Sequence, residues 1–395
     1  MSNHHQVLII GGGSAGLSVA SRLRDLDDPL DVGIIEPSED HYYQPIWTLV
    51  GGGVFDKEIS RREEAEFIPD GAAWIKEAAS EFQPEENAVV TDAGNRYTYD
   101  YLVVAAGIQL NWDQVKGLAG NVGSHGIASN YSYETVDSTW DALRHFKQGN
   151  AVFTFPNTAI KCAGAPQKIM WLADHWMRKQ GIRDQSNVVY AAATGGIFGV
   201  ETYARPLSKL VEERDIETHY SVDLVEIVPE EKKAIFEQIE GGDQLVIDYE
   251  MIHVTPPQGP PDFIKESPIA NEDGWVDVDK YTTQHVEYPN VFSLGDCSSL
   301  PTSKTGAAVR KEVPVTVENL LSEMRGDALE AKYNGYASCP LVTGYGRLIL
   351  CEFDYDGNPD ESFPFDQAQE RYSMYALKKY GLPEMYWNGM LRGRM

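Results

Sequence analysis

The six residues GGGSAG at positions 11–16 constrain this 395-residue chain more than any other feature. An apolar run, Gln6 to Ile10, precedes them and reads as a buried parallel strand. A helix follows through Leu23, and Val32 to Ile35 form a second strand that ends in Glu36, twenty residues beyond Gly16. Gly11, Gly13 and Gly16 have the spacing that permits a tight turn, backbone approach to a diphosphate and close packing of helix on strand. The acid at the next strand end suits a ribose hydroxyl. A glycine turn alone would say little. Strand, glycines, helix, strand and acid in this order predict a dinucleotide-binding unit at the N-terminus.

The length suits two or three domains. No run approaches the roughly 18 apolar residues of a spanning helix, and MSNHH leads directly into the first strand, so the expectation is a cytoplasmic protein without a signal peptide. Sixty acidic residues against 33 basic ones give a formal charge of −27, which argues against nucleic acid as a partner and suggests adaptation to high salt. Cys162, Cys297, Cys339 and Cys351 are too few for a disulfide scaffold and form no CxxC pair. The nine histidines show no HExxH spacing, so no metal is indicated. His41, in HYYQPIW, is open to two readings, proton handling or structure, with the structural one favoured.

Asn157 to Lys168, NTAIKCAGAPQK, places Cys162 between an apolar strand, Ala151 to Phe155, and a helix, Ile169 to Gln180, stopped by Gly181. Ala163, Gly164 and Ala165 would let another group come close, Pro166 suits a first helical turn, and Lys161 and Lys168 add positive charge. These surroundings favour a thiolate. On spacing alone, a packed strand-end cysteine is an equal alternative.

Residues 71–100 read as short strands, followed by a buried strand, Tyr101 to Ala105, ending in Ala106 and Gly107. A late strand, Val291 to Leu294, ends in Gly295 and Asp296. This arrangement resembles the FAD domain of the two-dinucleotide-fold flavoprotein reductases. The resemblance implies FAD rather than NAD, with Asp296 on the ribityl chain. Residues 187–228 look like the second nucleotide domain of those enzymes: strand VVYAAA, turn TGGIFG, helix Val200 to Arg214. Thr194 replaces the first glycine there, and His219 stands where NADH binding wants an acid, so the fold is expected to persist without NADH.

Longer strings carry a more specific resemblance, among them EPSEDHYYQPIWTLVGGG (36–53), FTFPNTAIKCAGAPQKIM (153–170), GDCSSLPTSKT (295–305) and YASCPLVTGYGRLILCEFDY (336–355). Through them nearly the whole chain resembles sulfide:quinone oxidoreductases of the mitochondrial and bacterial type. That family implies an α/β chain with an FAD domain (1–147 and 273–328), a degenerate NADH-like domain (148–272) and a C-terminal region (329–395) facing quinone and membrane. It implies Cys162 facing the flavin and Cys339 carrying a persulfide, with Lys168 and Lys378 near the flavin. FAD contacts would come from Gly11, Gly13, Ser14, Ala15, Gly16, Glu36, Gln44, Ala79, Ala106, Gly107, Asp296 and Lys304. The implied partners are hydrogen sulfide, a membrane quinone, and a small thiol or nucleophile as sulfur acceptor. The competing readings are a type II NADH dehydrogenase and a flavin-binding sulfur carrier without turnover. Cys297 and Cys351 read as packing cysteines. Between Arg371 and Met395, Arg371, Lys378, Lys379, Arg392 and Arg394 interleave with Tyr, Trp, Met and Leu against the single acid Glu384. This pattern predicts an interfacial segment that holds the protein peripherally on the inner face of the cell membrane, the alternative being a helix packed on the domain.

Overall fold

The computed structural model describes residues 3–395. Two mainly parallel sheets organise it. In the first, the order is Ala73–Ile75, Val32–Ile35, His4–Ile10, Arg96–Val104, Ala88–Thr91 and Ala79–Gln83, with Val291–Ser293 added beside Arg96–Val104. Ile10 lies in register with Ile35 on one side and Val104 on the other, so three parallel strands end together and open one crevice. The strand expected from Tyr101 begins earlier, at Arg96, because its first half pairs antiparallel with Ala88–Thr91.

The second sheet orders Ile127–Ala128, Met251–His253, Gly149–Phe155, Ser186–Ala192 and Glu217–Tyr220, every pair parallel. Ile127–Ala128 thus joins this sheet, although the sequence suggested that residues up to 147 go with the first. Beside it lies a three-stranded antiparallel layer, Val222–Val228, Lys233–Gln238 and Leu245–Asp248. The helix after Gly149–Phe155 starts at Ala165, four residues ahead of Ile169, with Pro166 in its first turn and Gly181 capping it at φ +70°.

The C-terminal region adds a hairpin, Ala337–Gly344 with Arg347–Phe353, and a broken helix, Tyr372–Ala376, Leu377–Gly381 and Leu382–Asn388. One hydrophobic core joins all three regions: Val7, Trp171, Leu341, Trp387 and Leu391 belong to the same cluster. Of the two readings of the tail, the packed one therefore holds for its inner face, and the interfacial one is left to its outer face. Tyr386, Trp387, Met390 and Leu391 are buried, and Ser21 Oγ donates to the Leu391 carbonyl at 2.7 Å while Arg22 donates to that of Met395 at 2.6 Å. Only Tyr372, Tyr380 and Met385 of the tail's large apolar side chains stand exposed. No helix among the described residues is long and apolar enough to cross a membrane.

Candidate active site

The first strand-to-helix turn forms a cradle. A Cβ on Gly11, whose φ is +100°, would meet the Ala105 carbonyl oxygen at 2.5 Å, and one on Gly16 would meet the Gly11 oxygen at 1.9 Å. Both positions therefore require glycine. Gly13 has open space before it, and it caps the helix Ser14–Arg24 without a side-chain hydrogen bond, which leaves the first helical amides free for an anion. Glu36 accepts from the Gly12 amide at 2.7 Å and the Ser38 amide at 2.7 Å, at the edge of the same crevice. Ala15 lies against Gly295, so the GGGSAG turn and the late Gly-Asp pair meet. Ala79 and Ala106 flank the core cluster that holds Ile10, Ile35 and Val104, and Gly107 opens onto free space at φ +76°. These features fit a bound dinucleotide.

Cys162 and Cys339, 177 residues apart in the chain, face each other with sulfurs 3.9 Å apart. Cys162 sits at φ +56°, a left-handed conformation that costs a non-glycine residue roughly 1–2 kcal/mol. The Cys162 amide donates to the Lys304 carbonyl at 2.7 Å and its carbonyl accepts from Ala165 at 2.7 Å, which pins the turn. The close approach anticipated at the small residues is that of the hairpin: a Cβ on Gly164 would meet Leu341 at 2.5 Å and the Cys339 Cβ at 3.3 Å.

Lys168, buried, donates to the Cys162 sulfur at 3.0 Å. The hydrogen bond from Cys339 holds the Cys162 thiol well below the usual range; burial opposes this, and the charges of Lys168 and Lys378 add to it. Cys339 is held up by the same bond. Burial pulls Lys168 down, yet the two sulfurs more than offset it and its pKa rises. Lys378 has no such close partner: its ammonium donates to the Pro45 carbonyl at 3.0 Å, and burial followed by repulsion from Lys168 lowers it to about 7. Of the two cysteines, the thiolate is thus favoured on Cys162 and the proton on Cys339.

Lys161 links the two centres. It donates to Gln44 Oε1 at 2.7 Å and to the Tyr131 carbonyl at 2.9 Å, and burial lowers it to about 8 against the pull of Asp296. Burial raises Asp296, opposed by Lys304 and Lys161. Lys304 stands 4.0 Å over the Trp275 ring. The sequence reading credited Lys161 only with charge and missed Glu312, which accepts from the Gly295 amide at 2.8 Å and is raised by burial to about 7. An acid in mid-helix gave no sign of this role. Cys297 and Cys351 are both buried; Cys351 lies opposite Cys339 in the hairpin register. Among the described residues no three His, Cys, Asp or Glu side chains gather as a metal site.

A dinucleotide crevice beside two facing cysteines defines a class, the disulfide oxidoreductases built on paired nucleotide folds. Residues 5–147 match the family model described as pyridine nucleotide-disulphide oxidoreductase. The chain is 49% identical over 392 residues to a mouse protein named mitochondrial sulfide:quinone oxidoreductase, covering 99% of this chain and 87% of that protein. A Dictyostelium discoideum protein of the same name is 49% identical over 397 residues, with 100% and 87% covered. The X-ray structure of the sulfide:quinone oxidoreductase from Aquifex aeolicus superposes with a TM-score of 0.80 at 21% identity, covering 98% of this chain and 92% of that one. This chain belongs to the sulfide:quinone oxidoreductase family.

Proposed function

We propose that this protein oxidises hydrogen sulfide through Cys162 and Cys339, with noncovalently bound FAD carrying electrons to a membrane quinone. The facing sulfurs, with Lys168 on the Cys162 side, carry this reading. In the oxidised state the two cysteines are joined. Hydrosulfide attacks Cys339, the S–S bond breaks, and the outer sulfur stays on Cys339 as a persulfide while Cys162 leaves as a thiolate that Lys168 stabilises. A small thiolate or other nucleophile then removes that sulfur and leaves a Cys339 thiolate. Rejoining of the two cysteines releases two electrons, for which FAD, held by the residues named below, would supply the two-electron acceptor between the cysteines and the quinone.

Gly11, Gly13, Ser14, Ala15, Gly16 and Glu36 would hold the adenosine diphosphate half of FAD. Ala79, Ala106, Gly107, Asp296, Lys304 and Gln44 would flank the rest, and Lys168 and Lys378 would supply positive charge beside the ring. The division we propose keeps the first sheet and residues 273–328 as the FAD domain, assigns residues 127–272 to the second fold and leaves 329–395 as the quinone-facing region. Tyr372, Tyr380 and Met385 would touch the lipid, placing the protein peripherally on a membrane surface.

Anaerobic sulfide should bleach the flavin, and quinone should restore it over many cycles. A single bleach without recovery would favour a sulfur carrier, and bleaching by NADH would favour a type II NADH dehydrogenase. Flavin that stays with acid-precipitated protein would show a covalent link instead.

A further inference from the structure

Behind the GGGSAG turn runs a hydrogen-bonded chain that the sulfur chemistry leaves unused. Glu64 Oε2 accepts from His41 Nδ1 at 2.8 Å, His41 Nε2 meets the Tyr386 hydroxyl at 2.6 Å, and that hydroxyl meets Ser14 Oγ at 2.7 Å. Glu64, His41 and Tyr386 are only 1%, 4% and 6% exposed. The chain spans residues 14 to 386 and ends on the first residue of the helix whose amides are free. Its other carboxylate oxygen, Glu64 Oε1, is buried without a donor and lies 2.4 Å from where a Gly12 Cβ would stand. An unpaired carboxylate oxygen at that depth is costly, and it stands against the same turn that Ser14 opens into a helix.

We propose that Glu64, His41 and Tyr386 are positioning residues that aim the Ser14 hydroxyl at the diphosphate of the bound dinucleotide and so lock the C-terminal tail onto the occupied site. The direction of the hydrogens decides between two arrangements. With a neutral His41 whose Nε2 accepts, Tyr386 donates to the ring, Ser14 donates to Tyr386, and no hydrogen remains for an anion. With His41 protonated against Glu64, the ring donates to Tyr386, Tyr386 donates to Ser14, and Ser14 donates onward. Only the second arrangement leaves Ser14 a hydrogen to give to a diphosphate. The other charged or titratable groups around the ring are Glu36 across from Glu64, Arg62 stacked on Trp387, Arg392 stacked on Phe67, and Tyr43 against Tyr386. Phe67, Trp387 and Tyr386 box the imidazole at centroid distances of 5.6, 5.7 and 5.8 Å. The tail therefore provides both a wall of the box and a link of the chain.

This inference rests on the FAD reading and is tested on the holoenzyme by the rate of flavin release on dilution, followed by fluorescence. Tyr386→Phe keeps the ring and removes the link; release should quicken roughly ten- to hundredfold, the worth of one hydrogen bond to a charged group. In a Ser14→Ala background the same substitution should change the rate less than about twofold, because the link would then have nothing to aim. Chymotrypsin should cut after Tyr386 or Trp387 faster in flavin-stripped than in flavin-loaded wild type. Unchanged release in Tyr386→Phe, an effect that adds in full to that of Ser14→Ala, or tail cleavage indifferent to flavin would each overturn the proposal. A wild-type protein that carries no flavin would instead overturn the functional reading beneath it.

Discussion

Two strand-turn-helix-strand units in this molecule have the same plan and different fates. In the unit from His4 to Glu36, Ile10 pairs with Ile35, Gly11 and Gly16 are wedged against backbone, and Glu36 takes the Gly12 amide. In the unit from Ser186 to Tyr220, Ala192 pairs with Tyr220 in the same parallel sense, yet a Cβ on Gly195, Gly196 or Gly199 would meet nothing within 4 Å. Thr194 Oγ1 closes that turn on itself by donating to the Gly196 carbonyl at 2.9 Å. His219 is paired at 2.6 Å with Glu217, which Asn187 also holds at 2.5 Å. Buried strands preserve the topology without help from the glycines. Glycines wedged against neighbouring backbone, Gly11 and Gly16, fix the tight turn of the first unit, and the second unit's turn has no such wedge at Gly195, Gly196 or Gly199.

The comparison breaks most visibly at the cysteines. Cys162→Ser or Cys339→Ser should each slow sulfide-driven flavin reduction by roughly a thousandfold or more, because the two act as one unit. Cys297→Ser and Cys351→Ser should reduce flavin at near wild-type rates, losing about 1–3 kcal/mol of stability to a buried hydroxyl. Stopped-flow absorbance with sulfide separates the outcomes. Next in size, Gly16→Ala sets a Cβ 1.9 Å from the Gly11 oxygen and should yield protein that is colourless or does not fold. Gly199→Ala, the corresponding change in the second unit, where a Cβ would meet nothing within 4 Å, should leave flavin content and melting temperature unaltered. If both variants lose flavin, the two turns are not the different objects described above.

Both nucleotide folds were legible in the sequence because buried parallel strands read as apolar runs, and glycine spacing marks a turn whatever it binds. The Cys162 turn was legible too, through its small residues and flanking lysines. Its partner was assigned through family resemblance, since nothing local to Cys339 signals a contact 177 residues away. The packed half of the tail was not legible for a related reason. Alternating basic and aromatic residues describe a membrane surface and a protein surface equally well, and Arg62 and Arg392 stacked on Trp387 and Phe67 show the second use. His41, read as structural in its aromatic loop, is packed in an aromatic box; its links to Glu64 and Tyr386 required the fold.

Lysines that looked equivalent in the sequence also part company, with a smaller effect. Lys378 falls from 10.5 to about 7 in the fold, so the folded protein disfavours its charge. The penalty is full below about pH 7 and fades as pH rises toward 10.5. Lys378→Met should therefore stabilise the flavin-free protein by a few kcal/mol at pH 6, since each tenfold loss of proton affinity on folding is worth about 1.4 kcal/mol, and by less at pH 9. Lys168 is instead raised, so its contribution is present across this range and is lost only at higher pH. Equal gains from Lys378→Met at both pH values, measured by thermal melts, would remove the distinction.

The smallest expected effect concerns the tail's outer face and shows which fold the tail serves. Its inner face leans on the first unit through Ser14, Ser21 and Arg22, so deleting residues 386–395 would strip buried core and say nothing about lipid. The informative positions are Tyr372 at 70% and Tyr380 at 59% exposure, the latter beside Lys379, which also reaches over Phe55 at 5.2 Å. Neither tyrosine is part of the core, so Tyr372→Ser with Tyr380→Ser should alter stability by no more than about 0.5 kcal/mol per site. Aromatic rings at headgroup level beside a cation are what a peripheral contact requires. Binding to anionic vesicles should fall a few-fold, and turnover with a long-tailed quinone should fall with it, while a water-soluble quinone is reduced at the same rate. Vesicle binding unchanged in the double variant would move the membrane contact to another face and leave the tail as a clasp on the first nucleotide fold.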